Sequence, residues 1–155
     1  LKVVIKTHPK ESTDEGIYMK AFGSENYGKT WIYSDKHPIL LGTKAIFCIS
    51  FYSGVIIDML AINKPTIEYL NLEGLNQYDN SNSLRDSNSK AVFQYRYTNL
   101  VLGASDKSEF DTHVSSIMNN ITNVIKPMTS KYNEYFPKFD DSSKRIAENI
   151  FNKIK

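Results

Sequence analysis

The stretch that decides the fold is AIFCISFYSGVIIDMLAINKPTIEY, residues 45–69. It begins with an apolar run, residues 45–50, which is typical of a central strand in a parallel sheet. A turn that contains serine and glycine follows, then the helical pattern of residues 54–62 and a second strand pattern at residues 65–69. A strand, a helix and a strand in this order predict a βαβ unit with parallel strands.

The same alternation runs through the rest of the chain. Strands are predicted at residues 2–6, 30–33, 45–50, 65–69 and 99–102, and helices at residues 11–22, 38–44, 54–62, 107–125 and 142–154. We therefore expect an α/β fold with a Rossmann-like, mostly parallel, doubly wound sheet and helices on both faces. Residues 1–155 fit a single domain. Residues 71–90 are rich in Asn, Ser and Asp, and we expect them to form a mobile loop.

Composition and charge exclude several classes of protein. Hydrophobic residues make up 41% of the chain and charged residues 23%, which is typical of a soluble globular protein. The 19 basic and 17 acidic residues are scattered, so no nucleic-acid partner is expected. No apolar run approaches the length of a membrane span. Because Leu1 already belongs to a predicted strand, we expect a fragment of a longer protein.

Three predicted strand ends carry side chains that suit a phosphorylated ligand. The carboxyl ends of parallel strands share one edge, where open α/β sheets bind their ligands. His8 and Pro9 end the first strand, since proline cannot continue a ladder. At the next such end the Ser53 hydroxyl can cap the helix, and Gly54 lets a ligand approach its free N–H groups. Glu68 ends the following strand, where a carboxylate can accept ribose hydroxyls.

Each of these features also has a purely structural explanation. Ser53 can cap a helix that binds no ligand, and Glu68 can be a solvated loop carboxylate. The combination is more specific than its parts, because a hydrogen-bond donor, a helix terminus and a sugar-binding acid on one edge match a nucleotide with one or two phosphates.

Several other residues are expected to be structural. Trp31 is predicted to lie in the core, Cys48 to be an inert core thiol, and His37 to mark the start of a helix. His113 is predicted on a solvated helix face, and three histidines this far apart have no zinc spacing. The aromatic and basic residues 95–97 fit either stacking on a base or alternation along a strand edge.

The motifs resemble those of a known family. KTHP at residues 6–9, and a strand ending in S-x-x-S-G followed by VIIDMLAINKP and TIEY at residues 50–69, resemble the carboxyl-terminal half of bacterial surface-polysaccharide glycosyltransferases of the GT-B fold. Similar groups are the sialyl-, polysialyl- and Kdo transferases of capsule synthesis and the teichoic-acid glycerophosphotransferases, which use cytidine-activated donors. The resemblance covers roughly residues 3–70, under half of the chain.

The resemblance implies a role for each matching residue. His8, the candidate catalytic residue, would contact the donor phosphate where charge builds as the nucleotide leaves, and Pro9 would fix the backbone that aims it. Ser53 and the N–H group of Gly54 would hold the same phosphate, and Glu68 would bind the ribose.

Two positions depart from or extend the family pattern. Its Ser-Ser pair reads Tyr52-Ser53 here, so one hydroxyl is missing, and whether Ser50 replaces it stays open. Tyr52 and Ser50 are still expected to belong to the donor-binding site by their positions in the motif. Asp58 matches an acidic position of the glycerophosphotransferases, but favourable electrostatics in the first helical turn explains it as well. The family's catalytic base belongs to an amino-terminal half outside these residues.

The resemblance therefore implies the domain of a glycosyltransferase that binds a donor nucleotide sugar in surface (capsule) polysaccharide biosynthesis. The donor would be CMP- or CDP-linked, the acceptor a saccharide or lipid-linked molecule, and no metal or other cofactor is expected. The full protein would be cytoplasmic, with room for peripheral association at the inner face of the membrane, and its amino-terminal domain would pack on the C-terminal helix. The fragment alone is expected to be inactive. Two alternatives stay open: a domain similar to UDP-N-acetylglucosamine 2-epimerases, and a non-catalytic flavodoxin-like interaction domain.

Overall fold

The computed structural model describes residues 2–7, 15–73, 84–137, 144 and 149–151. The described chain is a mixed α/β fold with small parallel sheets, in agreement with the predicted class. Its strands are β1 (Val3–Ile5), β2 (Trp31–Tyr33), β3 (Cys48–Ser50), β4 (Thr66–Tyr69), β5 (Leu84–Arg85), β6 (Ala91–Val92) and β7 (Leu102–Ala104). Its helices are α1 (Glu15–Phe22), α2 (Pro38–Lys44), α3 (Val55–Ala61), α4 (Gln94–Tyr97) and α5 (Lys107–Tyr135), with a 3₁₀ turn at Ser24–Asn26.

The described strands form two parallel sheets and one antiparallel hairpin. β1 pairs with β2, and β3, β4 and β7 form a sheet with β4 in the middle. β5 and β6 make the hairpin. The joining of the two parallel sheets into one doubly wound sheet stays a prediction.

The expectation of a central strand at residues 45–50 is not confirmed by the described strands. β3 is at the edge of its three-stranded sheet, and Ile49 is 47% exposed. β3 would be central only if the β1–β2 sheet joined on its free side, and that joining stays a prediction.

Helix α5 packs on the sheet as its apolar stripe predicts. Its Ile117 is buried against Ile67 of β4 and Ala104 of β7. Phe110, Val114 and Ile121 share that face of the helix and pack around the same cluster. Met118 is apolar but 50% exposed, since it lies one residue, about 100°, beyond Ile117.

A break within α5 lets the helix serve a second core. Asn120 has φ −157° and ψ 82°, outside the helical region, and its Oδ1 accepts a hydrogen bond from the Asn123 N–H at 3.1 Å. The second half begins from this local cap and packs on α3. The buried members of this second core are Ile56, Leu60, Leu100, Val101 and Met128. The helix was predicted to end at residue 125, before Pro127, but it continues to Tyr135.

The strand that corresponds to β7 was predicted to start three residues before its observed start. The strand predicted at residues 99–102 begins only at Leu102, because Asn99 has a left-handed φ of 58° and forms a turn. Leu100 and Val101 are buried in that turn, so burial was mistaken for strand structure.

Residues 84–90 of the predicted mobile loop lie in the hairpin of β5 and β6. Asp86 Oδ1 accepts hydrogen bonds from the N–H groups of Asn88 at 2.9 Å and Lys90 at 3.0 Å, which closes the turn between the two strands. Residues 74–83 of that loop lie outside the described residues, as do most of residues 142–154, the predicted last helix.

The first parallel pair is held by aromatic packing. Trp31 is 2% exposed, as predicted for a core residue, and its ring contacts those of Phe22 and Tyr27. His37 caps α2, with Nδ1 accepting a hydrogen bond from the Ile39 N–H at 3.3 Å, which confirms its structural role.

Candidate functional site

The carboxyl edge of the β3–β4–β7 sheet is where the structure brings predicted site residues together. The parallel register aligns Ser50 of β3 with Glu68 of β4, and Glu68 with Gly103 of β7. The chain leaves Ser50 through Phe51 and Tyr52 and then enters α3, so Ser53 and Gly54 belong to the loop at this edge. Ser50 is 7% exposed, so little of its side chain is open to a ligand in this conformation.

His8 and Pro9 lie outside the described residues, and their approach to the same edge stays a prediction. The residue before them, Thr7, is described. Its hydroxyl forms a hydrogen bond of 2.9 Å with the Tyr33 hydroxyl, which ties the end of β1 to the end of β2.

The junction of β3 and α3 is built from Ser53 and Gly54 as predicted. Ser53 Oγ accepts a hydrogen bond from the Val55 N–H at 3.3 Å. Gly54 has φ −59° and ψ −18°, a conformation open to any residue. A Cβ atom added at Gly54 would meet nothing within 4 Å. Neither backbone strain nor packing requires glycine here, which leaves open space beside the first helical turn.

Glu68 is buried instead of facing solvent. Its side chain is 1% exposed, and Oε1 accepts a hydrogen bond from Arg96 Nε at 3.1 Å. Burial raises the pKa of the Glu68 carboxyl, and the Arg96 guanidinium opposes that shift. The alternative of a solvated loop carboxylate is therefore wrong. Ribose binding by Glu68 stays a prediction that requires this ion pair to open.

Arg96 is the important residue that sequence reasoning missed. Its guanidinium donates to Ser105 Oγ at 3.0 Å and to the carbonyls of Glu68 at 3.1 Å and Leu70 at 3.0 Å. It also fills the space above Gly103, where a Cβ atom would collide with it. One side chain thus joins α4 to β4, to its following loop and to the start of α5.

Residues 95–97 form part of the short helix α4, so their assignment to a strand edge is wrong. The Tyr-Arg-Tyr sequence was the feature that could have drawn attention to Arg96. It does not identify the partner carboxylate, because Glu68 lies 28 positions away.

An aromatic cluster flanks this edge of the sheet. The ring centroid of Tyr52 lies 4.1 Å from that of Phe93 and 5.8 Å from that of Tyr95. Tyr52 is nevertheless 51% exposed, and its neighbour Phe51 is 68% exposed. The position at which the resembled family has its first serine is therefore the centre of an exposed aromatic surface.

At the same edge, backbone N–H groups at the start of α5 are already hydrogen-bonded by nearby carboxylate side chains. Asp106 accepts a hydrogen bond from the Glu109 N–H at 2.9 Å, and Glu109 Oε2 accepts one from the Ser105 N–H at 2.7 Å. The arrangement is similar to a capping box, but Glu109 accepts from the residue before the N-cap, Ser105, and not from the N-cap, Asp106. Because two carboxylates occupy this terminus, a phosphate would be repelled there.

His113 is part of the same sheet edge and was predicted wrongly. It is not on a solvated face: its Nε2–H group donates to the Gly103 carbonyl at 2.9 Å and the residue is partly buried. The bond holds α5 against β7.

Other candidate features carry no chemistry at this edge. Burial raises the pKa of the Cys48 thiol to about 11, which agrees with a thiol of low reactivity, but Cys48 is partly buried and does not lie in the core as predicted. A shallow cleft of about 690 Å³ runs along residues 107–119 of α5, but its lining includes none of the predicted site residues. Within the described part of the chain, no group of three or more His, Cys, Asp or Glu side chains could hold a metal ion. None of the helices described is long and apolar enough to cross a lipid bilayer.

No protein-family model, curated protein or solved structure matches this chain.

Proposed function

We propose that this chain is the donor-nucleotide-binding domain of a glycosyltransferase that acts in surface-polysaccharide biosynthesis. The observation that carries the proposal is the junction between β3 and α3. Ser53 and an unobstructed Gly54 lie there, at the carboxyl edge of a parallel sheet.

Three physical arguments support a phosphate at this junction. Ligands of open α/β sheets bind outside the carboxyl ends of the strands. Neither packing nor backbone conformation requires glycine at position 54, and the missing side chain allows a ligand to come close to the backbone there. The first N–H groups of the neighbouring helix, α5, are occupied by Asp106 and Glu109. α3 also carries an acidic residue in its first turn, Asp58, but among the described residues no carboxylate hydrogen-bonds its first N–H groups, so these groups stay available to an anion.

The remainder of the proposal follows the resemblance of residues 6–9 and 50–69. The two parallel sheets join into one doubly wound, Rossmann-like sheet, the donor is linked to CMP or CDP, and His8 contacts its phosphate. A second, amino-terminal half supplies the catalytic base and contributes to the binding of a saccharide or lipid-linked acceptor. The complete enzyme works in the cytoplasm, at the inner face of the membrane.

The direct test is a titration of this chain with CMP, CDP and UDP, monitored by the backbone amide signals of the protein. We expect shifts that saturate at Ser53, Gly54 and Val55, with CMP or CDP more effective than UDP. The amides of Thr43 and Lys44, at the end of α2, are the internal control and should stay in place.

The alternatives predict different results. Stronger binding of UDP would favour a domain similar to UDP-N-acetylglucosamine 2-epimerases. If millimolar nucleotide moves none of the junction amides, the transferase proposal is wrong and the non-catalytic interaction domain becomes the better explanation.

A further inference from the structure

The aromatic surface formed by Tyr52, Phe93 and Tyr95 combines exposure with fixed geometry. About half of the Tyr52 side chain is open to solvent, at 51% exposure, although its ring packs closely on Phe93 with an angle of 32° between the planes. Tyr95 also packs against the core of α3 and α5. Tyr52 is therefore supported from one side and open on the other.

Arg96 explains why this surface is rigid. It lies next to Tyr95 in α4, and its guanidinium is bonded to the Glu68 carboxylate, to main-chain carbonyls and to Ser105. Its side chain is only 14% exposed. Charged hydrogen bonds in a buried position are strong, so α4, and with it Phe93 and Tyr95, is fixed to the sheet.

We propose that Tyr52, backed by Phe93, is the platform on which the nucleobase of the donor stacks. This inference rests on the proposed function. It deepens that function by assigning the base-binding group to the aromatic surface of residues 52, 93 and 95.

The chain itself links this platform to the phosphate position. Tyr52 directly precedes Ser53, so the open aromatic ring and the proposed phosphate contact come from adjacent residues. A nucleotide carries a flat aromatic base and a phosphate on one sugar, and so can meet both groups at once. Stacking tolerates any base, because every base presents a π face, and the platform thus supplies affinity without selecting cytosine over uracil.

The experiment compares ligands with and without a base. CMP and ribose 5-phosphate share the sugar phosphate, and binding of each is measured by calorimetry or amide shifts for the unaltered chain, Tyr52→Ala and Tyr52→Phe. We expect Tyr52→Ala to weaken CMP binding about tenfold to a hundredfold, in line with base–aromatic stacking. Binding of ribose 5-phosphate should not change, and Tyr52→Phe should keep CMP affinity because the ring remains.

Tyr97→Ala is the matched control. Tyr97 lies in α4, the helix that also contains Tyr95, and it is 53% exposed, close to the value for Tyr52. Its replacement should leave CMP binding as it is. Thermal unfolding of each variant reports whether its fold is intact.

The outcomes separate this inference from the function on which it rests. If the unaltered chain binds CMP and Tyr52→Ala binds it equally well, the platform is wrong and the nucleotide site stands. Equal losses for CMP and ribose 5-phosphate would also overturn the platform. If the unaltered chain binds neither nucleotide nor ribose 5-phosphate, the proposed function and the platform both fail.

Discussion

Two helices begin at the same edge of the parallel sheet, and their first turns are built in opposite ways. α5 begins with Asp106 and Glu109, two carboxylates that satisfy neighbouring N–H groups. α3 begins after a neutral hydroxyl, that of Ser53, and with Gly54. A Cβ atom added at Gly54 would meet nothing within 4 Å. The first arrangement satisfies the helix start with carboxylates, whereas the second leaves space beside N–H groups that no described carboxylate caps, although Asp58 lies in the same turn. The comparison assigns a structural role to one junction and a binding role to the other.

The largest expected effect comes from removing the anchor that ties the α5 junction to the sheet. Arg96→Met leaves the buried Glu68 carboxylate without its partner, and we expect a loss of about 3–5 kcal/mol in the free energy of unfolding. Urea denaturation measures it. The control is Lys131→Met, which removes an exposed ion pair with Glu134, and its effect should stay below about 1 kcal/mol. A small change for Arg96→Met would show that the buried pair is not a structural anchor.

Removal of the two caps should separate stability from binding. Asp106→Ala should lower the free energy of unfolding by about 1 kcal/mol through the lost N-cap, with nucleotide affinity unchanged. Ser53→Ala loses a hydrogen bond of 3.3 Å, so its effect on stability should be smaller, but it should weaken nucleotide binding. Chemical denaturation and calorimetric titration give the two quantities. The comparison fails if both substitutions weaken binding, or if neither does.

Gly54→Ala should raise stability while lowering affinity. The backbone conformation suits alanine and the added methyl group has space, so the free energy of unfolding should increase by about 0.4–1 kcal/mol. The same methyl group would obstruct a phosphate at the first turn, and nucleotide affinity should fall. A stabilised variant with full affinity would show that the ligand does not approach this backbone.

The smallest effect is a pH dependence that arises from Glu68. Burial raises its pKa in the folded state above the ordinary value of 4.5, so the folded chain holds this proton more tightly than the unfolded chain. The associated stability is present below that ordinary value and is lost as the pH rises through the folded-state pKa. Denaturation midpoints measured from pH 4 to pH 7, about the range in which a raised carboxyl pKa acts, should show this decline in the unaltered chain.

Glu68→Gln provides the control for that pH dependence. The amide keeps an oxygen for Arg96 but does not titrate, so the variant should show a weaker decline over the same range. Identical slopes for the two proteins would exclude Glu68 as the source.

Local sequence patterns predicted the elements that surround the junction. The helix at residues 38–44 was found at its predicted bounds, and β3, α3 and β4 follow one another as the apolar run, the serine–glycine turn and the second strand indicated. Helix α3 begins one residue later than a Ser53 cap predicts, with Gly54 as the N-cap, and the Ser53 hydroxyl accepts a hydrogen bond from the Val55 N–H. These features depend on interactions within a few residues, and such interactions are visible in the sequence.

The order of the strands, the break in α5 and the burial of Glu68 were decided by the tertiary structure. Asn120 interrupts a regular apolar stripe because the two halves of α5 must reach two different cores. Glu68 has the sequence environment of a strand-end carboxylate, but its partner Arg96 lies in the short helix α4, 28 residues later. Pairing over that distance depends on how the chain folds back on itself, and neither periodicity nor residue preference encodes it. The sequence by itself therefore determined which residues stand at strand ends, while packing decided which of them are locked into the fold and which remain open to a ligand.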